Sequence, residues 1–190
     1  MKQFTICGTL IHAPVCGAID VIENGLIEVN EAGNIAEVHT PESANYAGVK
    51  QTAVAANRLI TLAKGQYLLP GLIDLHVHAP QWPQAGNALH LPLHEWLQNY
   101  TFPLEAKYTD LAFAEKVYSS LVDTLIANGT TTTLYFATVH LAATKLLADI
   151  CLAKGQRALV GKVAMDNPDE CPDFYRDASV MVGKFVADEI

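Results

Sequence analysis

The sequence predicts an α/β protein made of two regions with different textures. Residues 1–67 contain short apolar and β-branched runs separated by turn signals, which favour a small antiparallel sheet. From residue 68 onward, strand-like and helix-like segments alternate, and the strands are almost continuously apolar. Strands of that kind are buried on both faces, so the alternation predicts a parallel sheet with helices outside it. We therefore predict two domains, residues 1–67 and residues 68–190.

The first region divides into strands at its turn signals. The strand-like runs read "FTICGTLI", "LIEVNEAGNIAEVH" and "RLITLAKGQYLLP". The pairs Asn-Gly at 24–25 and Gly-Asn at 33–34 are hairpin turn signals, and the second run is typical of strand, tight turn and strand. His12 and His39 also lie in this region, and we expect both at the surface or in turns.

The second region alternates strands and helices in a regular order. "LIDLHVH" predicts the first parallel strand, and after a long connection "DLAFAEKVYSSLVDTLIANG" shows helical apolar spacing, with Gly129 where a C-cap is expected. "TTTTLYFAT" predicts a second strand, "LAATKLLADICLAKG" a helix closed by Gly155, and "RALVGKVAMD" a third strand. "ASVMVGKFVADEI" begins a further helix. A closed barrel needs eight such units, so an open three-stranded sheet remains an alternative at this point.

Composition and charge exclude several classes of protein. The net charge is −8 over 190 residues and no run of Lys or Arg stands out, which argues against a nucleic-acid groove or an anionic membrane surface. The four cysteines form no CxxC pair, as expected of reduced thiols in the cytosol. No stretch approaches the roughly 18 apolar residues of a membrane span, and the N-terminus lacks a continuous signal-peptide core. We expect a cytoplasmic protein without a nucleic-acid or membrane partner.

Two histidines carry the clearest chemical signal. Residues i and i+2 of a strand share a face, so His76 and His78 project together at the C-terminal end of the first parallel strand. Ligands bind at that end of α/β sheets, and two converging imidazoles suit a divalent metal such as zinc or iron. We interpret both residues as metal ligands, although catalytic zinc usually has three protein ligands. The alternative is one hydrogen-bonded core histidine beside one that faces solvent.

Several segments resemble a known family. "LLPGLIDLHVH" is similar to the first barrel strand of the amidohydrolase superfamily, in which PGxIDxHxH precedes a metal site. "HVHAPQWPQAGNALHLPLHEWLQNYTFPLE", "NGTTTTLYFATVH" and "KGQRALVGKVAMD" resemble the guanine deaminases of that superfamily, and the similarity covers residues 58–190. The resemblance implies the N-terminal portion of a TIM (β/α)8 barrel of the metal-dependent hydrolase type. A small β-sandwich (composite) domain would precede it, and residues 68–190 would be its first three βα units.

The resemblance also implies an activity. It is the hydrolytic deamination of guanine to xanthine and ammonia by metal-activated water, a step of purine catabolism, with Zn²⁺ as cofactor and a homodimer as the intact enzyme. The remaining ligands and the acid/base lie later in such barrels. We therefore expect the catalytic residues beyond Ile190 and expect the isolated 190-residue chain to be inactive or nearly so. The alternatives are a truncated, non-catalytic amidohydrolase fragment, or another amidohydrolase of the cytosine deaminase or chlorohydrolase type.

The resemblance assigns roles to matching residues. His76 and His78 correspond to the first two metal ligands, and His78, Ala79, Pro80 and Gln81 correspond to the segment that contacts the purine. A primary amide both donates and accepts hydrogen bonds, so Gln81 suits the mixed edge of guanine. Its alternative role is that of a turn residue between prolines. Trp82 either stacks on the purine or wedges the loop against the barrel. His140 either serves the site or caps an element.

Overall fold

The computed structural model describes residues 2–177. The chain divides into two compact units with the boundary between Pro70 and Gly71, whereas the boundary predicted from sequence followed residue 67. The helix expected in "ASVMVGKFVADEI" falls at residues 178–190, outside the described part of the chain. None of the helices within residues 2–177 has the length and hydropathy of a bilayer-spanning segment.

The first unit contains a mixed sheet rather than the predicted antiparallel one. Its elements are β1 (Phe4–Val15), β2 (Ala18–Val29), β3 (Ile35–His39), α1 (Tyr46–Ala55), β4 (Leu59–Thr61) and β5 (Tyr67–Leu68). The order is β3-β2-β1-β4, and β5 also pairs with β1. The contacts among β1, β2 and β3 are antiparallel, whereas β4 and β5 run parallel to β1. A helical crossover such as α1 permits the parallel return. The described residues show this sheet, and a β-sandwich stays a prediction.

One of the two predicted hairpin turns is confirmed and the other is wrong. Gly33 lies between β2 and β3 with φ +82°, as the turn signal predicted. Residues 24–25 lie inside β2 instead, where the register against β1 shifts between Gly8 and Leu10. The shift leaves an extra residue in β2, and Asn24 takes it up as a bulge with φ +55°. The hairpin between β1 and β2 turns at Gly17, with φ +82°.

The second unit follows the predicted alternation of strands and helices. Its elements are β6 (Leu72–His78), α2 (Leu93–Trp96), α3 (Phe102–Glu105), α4 (Leu111–Ala127), β7 (Thr130–Phe136), α5 (Leu141–Lys154) and β8 (Arg157–Gly161). The three strands form a parallel sheet in the order β6-β7-β8. The Asp110 side chain accepts hydrogen bonds from two backbone amides of the first turn of α4. Gly155 ends α5 in the left-handed conformation.

Helices α4 and α5 cover one face of this sheet. A buried cluster including Tyr118, Leu121 and Leu147 packs against Tyr135, with Val77 at its margin. Side chains alternate along a strand, so the opposite face carries the histidines of β6. Within the described residues that histidine face is open, because Leu72 and Leu159 are each 60% exposed. The fold therefore presents the predicted metal ligands on the uncovered side of the sheet.

Candidate metal and ligand site

The imidazoles of His76 and His78 lie side by side at the end of β6. Their Nε2 atoms are 3.0 Å apart. Both rings pack on Phe136 of β7, at centroid distances of 4.7 Å for His76 and 5.0 Å for His78. The backbone amide of His76 donates to Oδ1 of Asp74 at 3.0 Å, which holds the strand end in place. The aromatic support and the strand pairing thus accompany a close approach of the two imidazole nitrogens.

This arrangement fits two ligand positions of one metal ion. Nitrogens about 2.0–2.1 Å from zinc lie roughly 2.9–3.4 Å apart when the ligand angle is between about 90° and 110°. The observed separation of 3.0 Å lies in that range. Desolvation lowers the pKa of His78, and the neighbouring His76 lowers it further. Both effects favour the neutral imidazole, which has a lone pair for a metal.

A short 3₁₀ turn, Ala79–Gln84, follows the histidines and is held from below. Ala79 and Pro80 are buried beneath the surface of the site. The carbonyl oxygen of Pro80 accepts a hydrogen bond from the Tyr108 hydroxyl at 2.9 Å. At the other end, Nε2 of Gln84 donates to Oγ1 of Thr101 at 2.8 Å. The turn is therefore anchored at both ends by buried hydrogen bonds.

The middle of the turn is anchored by a buried carboxylate. Nε2 of Gln81 donates to Oε1 of Glu105 at 2.9 Å, and the Tyr175 hydroxyl donates to the other oxygen of Glu105. Glu105 is 5% exposed. Burial raises the pKa of Glu105, and the hydrogen bonds from Tyr175 and Gln81 oppose that rise. Gln81 is thus tied into the protein through its amide nitrogen.

The three anchors of the turn come from one helical segment. After α2, the chain continues through a π turn at Leu97–Thr101, α3 and a 3₁₀ turn at Ala106–Thr109. Thr101, Glu105 and Tyr108 are spaced i, i+4 and i+7, so they share one face of this segment. None of these three residues belongs to the predicted site. Their helical spacing within "TFPLEAKY" was the signal that would have placed them together.

An open cleft of about 430 Å³ lies beside the histidines, large enough for a small flat heterocycle. Its lining includes Asp74, His76, His78, Gln81, Trp82 and Trp96. Two of the four predicted substrate-contacting residues, His78 and Gln81, therefore reach the cleft. The buried Ala79 and Pro80 are not part of the lining and support it instead.

Trp82 lines the cleft and also leans on α4. Its Nε1 lies 3.4 Å from the Ser120 hydroxyl. Trp96, the last residue of α2, donates from Nε1 to the carbonyl oxygen of Asn87 at 3.0 Å. Both indoles are thus positioned at the edge of the cleft by their own hydrogen bonds.

His140 stands apart from this cleft. It precedes α5, and its ring lies 6.1 Å from that of Tyr175 in an edge-on arrangement. Its Nε2 is buried, and no hydrogen-bond partner is found for it within residues 2–177. Burial lowers the pKa of His140, and the Asp177 carboxylate opposes this. The structure does not bring His140 to the cleft lined by His76 and His78.

A second group of possible ligands lies in the first unit. The ligand atoms of Glu28, Glu37 and His39 all lie within 4.8 Å of one another. His39 is 2% exposed, so its expected surface location is wrong. Its Nε2 lies 2.8 Å from Oε1 of Glu28, so this nitrogen already has a hydrogen-bond partner. The pairing of β2 with β3 brings these side chains together and accounts for the group without an ion.

Comparisons with known proteins agree with the geometry of the second unit. The profile of the amidohydrolase family matches residues 67–189. Guanine deaminase of Dictyostelium discoideum is 42% identical over 179 residues, covering 88% of this chain and 38% of that protein. Human guanine deaminase is 39% identical over 168 residues, covering 88% and 37%.

A solved structure extends the similarity to three dimensions. The crystal structure of guanine deaminase from C. acetobutylicum, with guanine bound in its active site, matches with a TM-score of 0.82 at 32% identity. The match covers 98% of this chain and 42% of that one. The chain thus spans about two fifths of the length of the relatives that it matches.

Proposed function

The chain belongs to the amidohydrolase family, and on that premise we propose that it serves the hydrolytic deamination of guanine to xanthine and ammonia. One observation carries the proposal: two imidazoles and the Gln81 amide line the same cleft. The similarity to guanine deaminases, one of which holds guanine in its active site, supports the choice of substrate. Because the chain spans about two fifths of those relatives, the activity of the whole protein stands as part of the proposal.

His76 and His78 would hold a divalent metal, and we propose zinc. Zinc bound by histidines lowers the pKa of water toward neutrality, which supplies hydrolytic chemistry. The protein's own part is to present both Nε2 atoms on one side. Phe136 fixes the ring planes from below, and Asp74 holds the backbone of His76.

The segment from His78 to Gln81 would form the purine-contacting side of the cleft. Gln81 would hydrogen-bond the edge of the base. Ala79 and Pro80, which are buried, would contribute by holding the backbone of the turn in place. Trp82 and Trp96 offer apolar faces against which a planar base could pack. Together these groups would orient guanine beside the two histidines.

The architecture and setting of the intact enzyme complete the proposal. We propose that β6, β7 and β8 are the first three strands of a (β/α)8 barrel of the metal-dependent hydrolase type, with residues 68–190 as its first three βα units. Residues 1–67 would belong to a small β-sandwich domain. A cytoplasmic homodimer acting in purine catabolism would be the working form. The open histidine face of the sheet supports the barrel, since parallel sheets are normally covered on both faces.

A chimera tests the function directly. Residues 1–190 replace the aligned segment of the C. acetobutylicum guanine deaminase, which supplies the remainder of that chain. We expect zinc-dependent formation of xanthine and ammonia from guanine, measured by absorbance and by chromatography. His76→Ala in the chimera should abolish turnover, and His94→Ala, at an exposed position, should leave it intact.

The same chimera separates the alternatives. Turnover of cytosine or of a chlorotriazine in place of guanine would favour another amidohydrolase. A folded, zinc-loaded chimera with no deaminase activity on any of these substrates would contradict the proposal and favour a non-catalytic role.

A further inference from the structure

Glu105 uses both of its carboxylate oxygens in the hydrogen bonds that lie behind the cleft. Oε1 accepts from Nε2 of Gln81 at 2.9 Å, and the other oxygen accepts from the Tyr175 hydroxyl. An ionised carboxylate can only accept hydrogen bonds. A glutamine amide facing it must therefore turn its nitrogen, and not its oxygen, toward the carboxylate. The amide orientation of Gln81 is thus set by its partner's chemistry.

The remaining hydrogen-bonding groups of Gln81 then have a fixed order. One N–H of the amide is used on Glu105, so one N–H and the carbonyl oxygen are left for a ligand. Within residues 2–177 no hydrogen bond to the side-chain oxygen of Gln81, Oε1, is found, and Gln81 lines the cleft. An unrestrained amide could rotate by about 180° and so exchange the positions of its N–H donor and its oxygen acceptor. The amide of Gln81 is held in one of these two orientations.

We propose that Glu105 is a positioning residue that fixes the Gln81 amide and so makes the cleft select bases that offer an N–H donor to the Gln81 carbonyl. The inference rests on the proposed function and names a determinant of its specificity. Guanine offers two kinds of N–H donor on its pyrimidine ring, at N1 and at the exocyclic amine.

A buried carboxylate in this place needs a reason, because burial of a charge is costly unless its oxygens are paired. The neighbouring anchors of the turn, Thr101 and Tyr108, hold it through neutral groups. A neutral residue at position 105 could also fill the space. Only an obligate acceptor excludes the reversed amide, and that is what Glu105 supplies.

The first test compares ligands across variants. Binding of guanine, 1-methylguanine and hypoxanthine to the zinc-loaded full chain is measured by equilibrium dialysis, since 1-methylguanine lacks the N1 donor and hypoxanthine lacks the exocyclic amine. We expect a preference for guanine over at least one analogue, reduced by about tenfold in Glu105→Gln because the amide can then reverse. Glu115→Gln, at an exposed glutamate on α4, should leave the preference unchanged.

Tyr175→Phe provides a second variant in case Glu105→Gln is poorly folded. It removes the hydroxyl that donates to Oε2 of Glu105 and leaves the hydrogen bond between Gln81 and Oε1. The preference for guanine over the analogues should therefore fall less than in Glu105→Gln. If wild type binds no guanine, the proposed function fails and the inference with it. If wild type prefers guanine and a folded Glu105→Gln keeps that preference, the inference alone is overturned.

A second test needs no ligand. The side-chain amide signals of Gln81 are identified by their loss in Gln81→Ala. We expect the carboxylate to shift one proton of this amide downfield. In Glu105→Gln the difference between the chemical shifts of the two amide protons should become smaller. Unchanged Gln81 signals in a folded Glu105→Gln protein would overturn the positioning role.

Discussion

Phe136 sets the geometry of the histidine pair as much as the strand does. Strand alternation puts His76 and His78 on one face, and both rings pack on Phe136 with their Nε2 atoms 3.0 Å apart. The period of two made the pair predictable from sequence. The support was not predictable, because Phe136 reaches the rings only through the parallel pairing of β6 with β7.

Replacing one of the two histidines should weaken zinc binding. We expect His78→Ala to lower the zinc affinity of the 190-residue chain by more than the roughly 10–100-fold that loss of an outer partner costs, because a nitrogen ligand itself is removed. Isothermal titration with zinc measures the change. His94→Ala is the control, since that side chain is 80% exposed. Equal affinities of wild type and His78→Ala would refute the assignment of His78 as a ligand.

His39 provides a residue-scale prediction in the first unit. His39→Ala removes a buried ring that bonds Glu28 at 2.8 Å, so the free energy of unfolding should fall by about 1–3 kcal/mol. Urea unfolding followed by circular dichroism checks this. His12→Ala is matched as a control, because its ring is 40% exposed and lies 3.9 Å from Asp20. A comparable loss in both variants would argue against a specific role for the buried pair.

At the scale of elements, local pattern predicted the second unit better than the first. The helices α4 and α5 are long and are followed by Gly129 and Gly155, and β6, β7 and β8 lie in apolar or β-branched runs, so the positions of these elements followed from sequence. In the first unit, the Asn-Gly pair at 24–25 had the residues of a turn but serves as a bulge. Pairing along β1 decided between these uses, and that is a tertiary effect.

Gly71 tests the close approach of β6 to β7. A β-carbon at this position would lie 2.0 Å from Oγ1 of Thr131, so Gly71→Ala must displace a packed side chain. We expect a loss of about 1–3 kcal/mol in the free energy of unfolding, measured by thermal melting. Gly48→Ala is the control, since nothing lies within 4 Å and alanine favours the helix α1. An unchanged free energy of unfolding in Gly71→Ala would show that the Thr131 side chain can move aside without cost, and would contradict the prediction.

At the scale of the whole molecule, the open histidine face connects site and architecture. The parallel alternation and the family resemblance together led to the prediction of a barrel segment, and the described sheet has the covered and the uncovered face that such a segment would have. The helical spacing of Thr101, Glu105 and Tyr108 indicated a shared face, but their hydrogen bonds to the turn at Ala79–Gln84 did not follow from sequence, because each joins residues 17 to 28 positions apart.

The same open face predicts the behaviour of the 190-residue chain in solution. Leu72 of β6 and Leu159 of β8 expose apolar surface, and exposed apolar strands favour association. We expect sedimentation velocity to show concentration-dependent self-association, reduced in the double variant Leu72→Ser, Leu159→Ser. Leu152→Ser is the control, because Leu152 is 81% exposed but belongs to helix α5. We also expect this chain alone to form little or no xanthine from guanine, since catalytic zinc usually has three protein ligands and only His76 and His78 are proposed as ligands within the described residues. A monomeric chain with turnover comparable to that of an intact guanine deaminase would contradict both expectations.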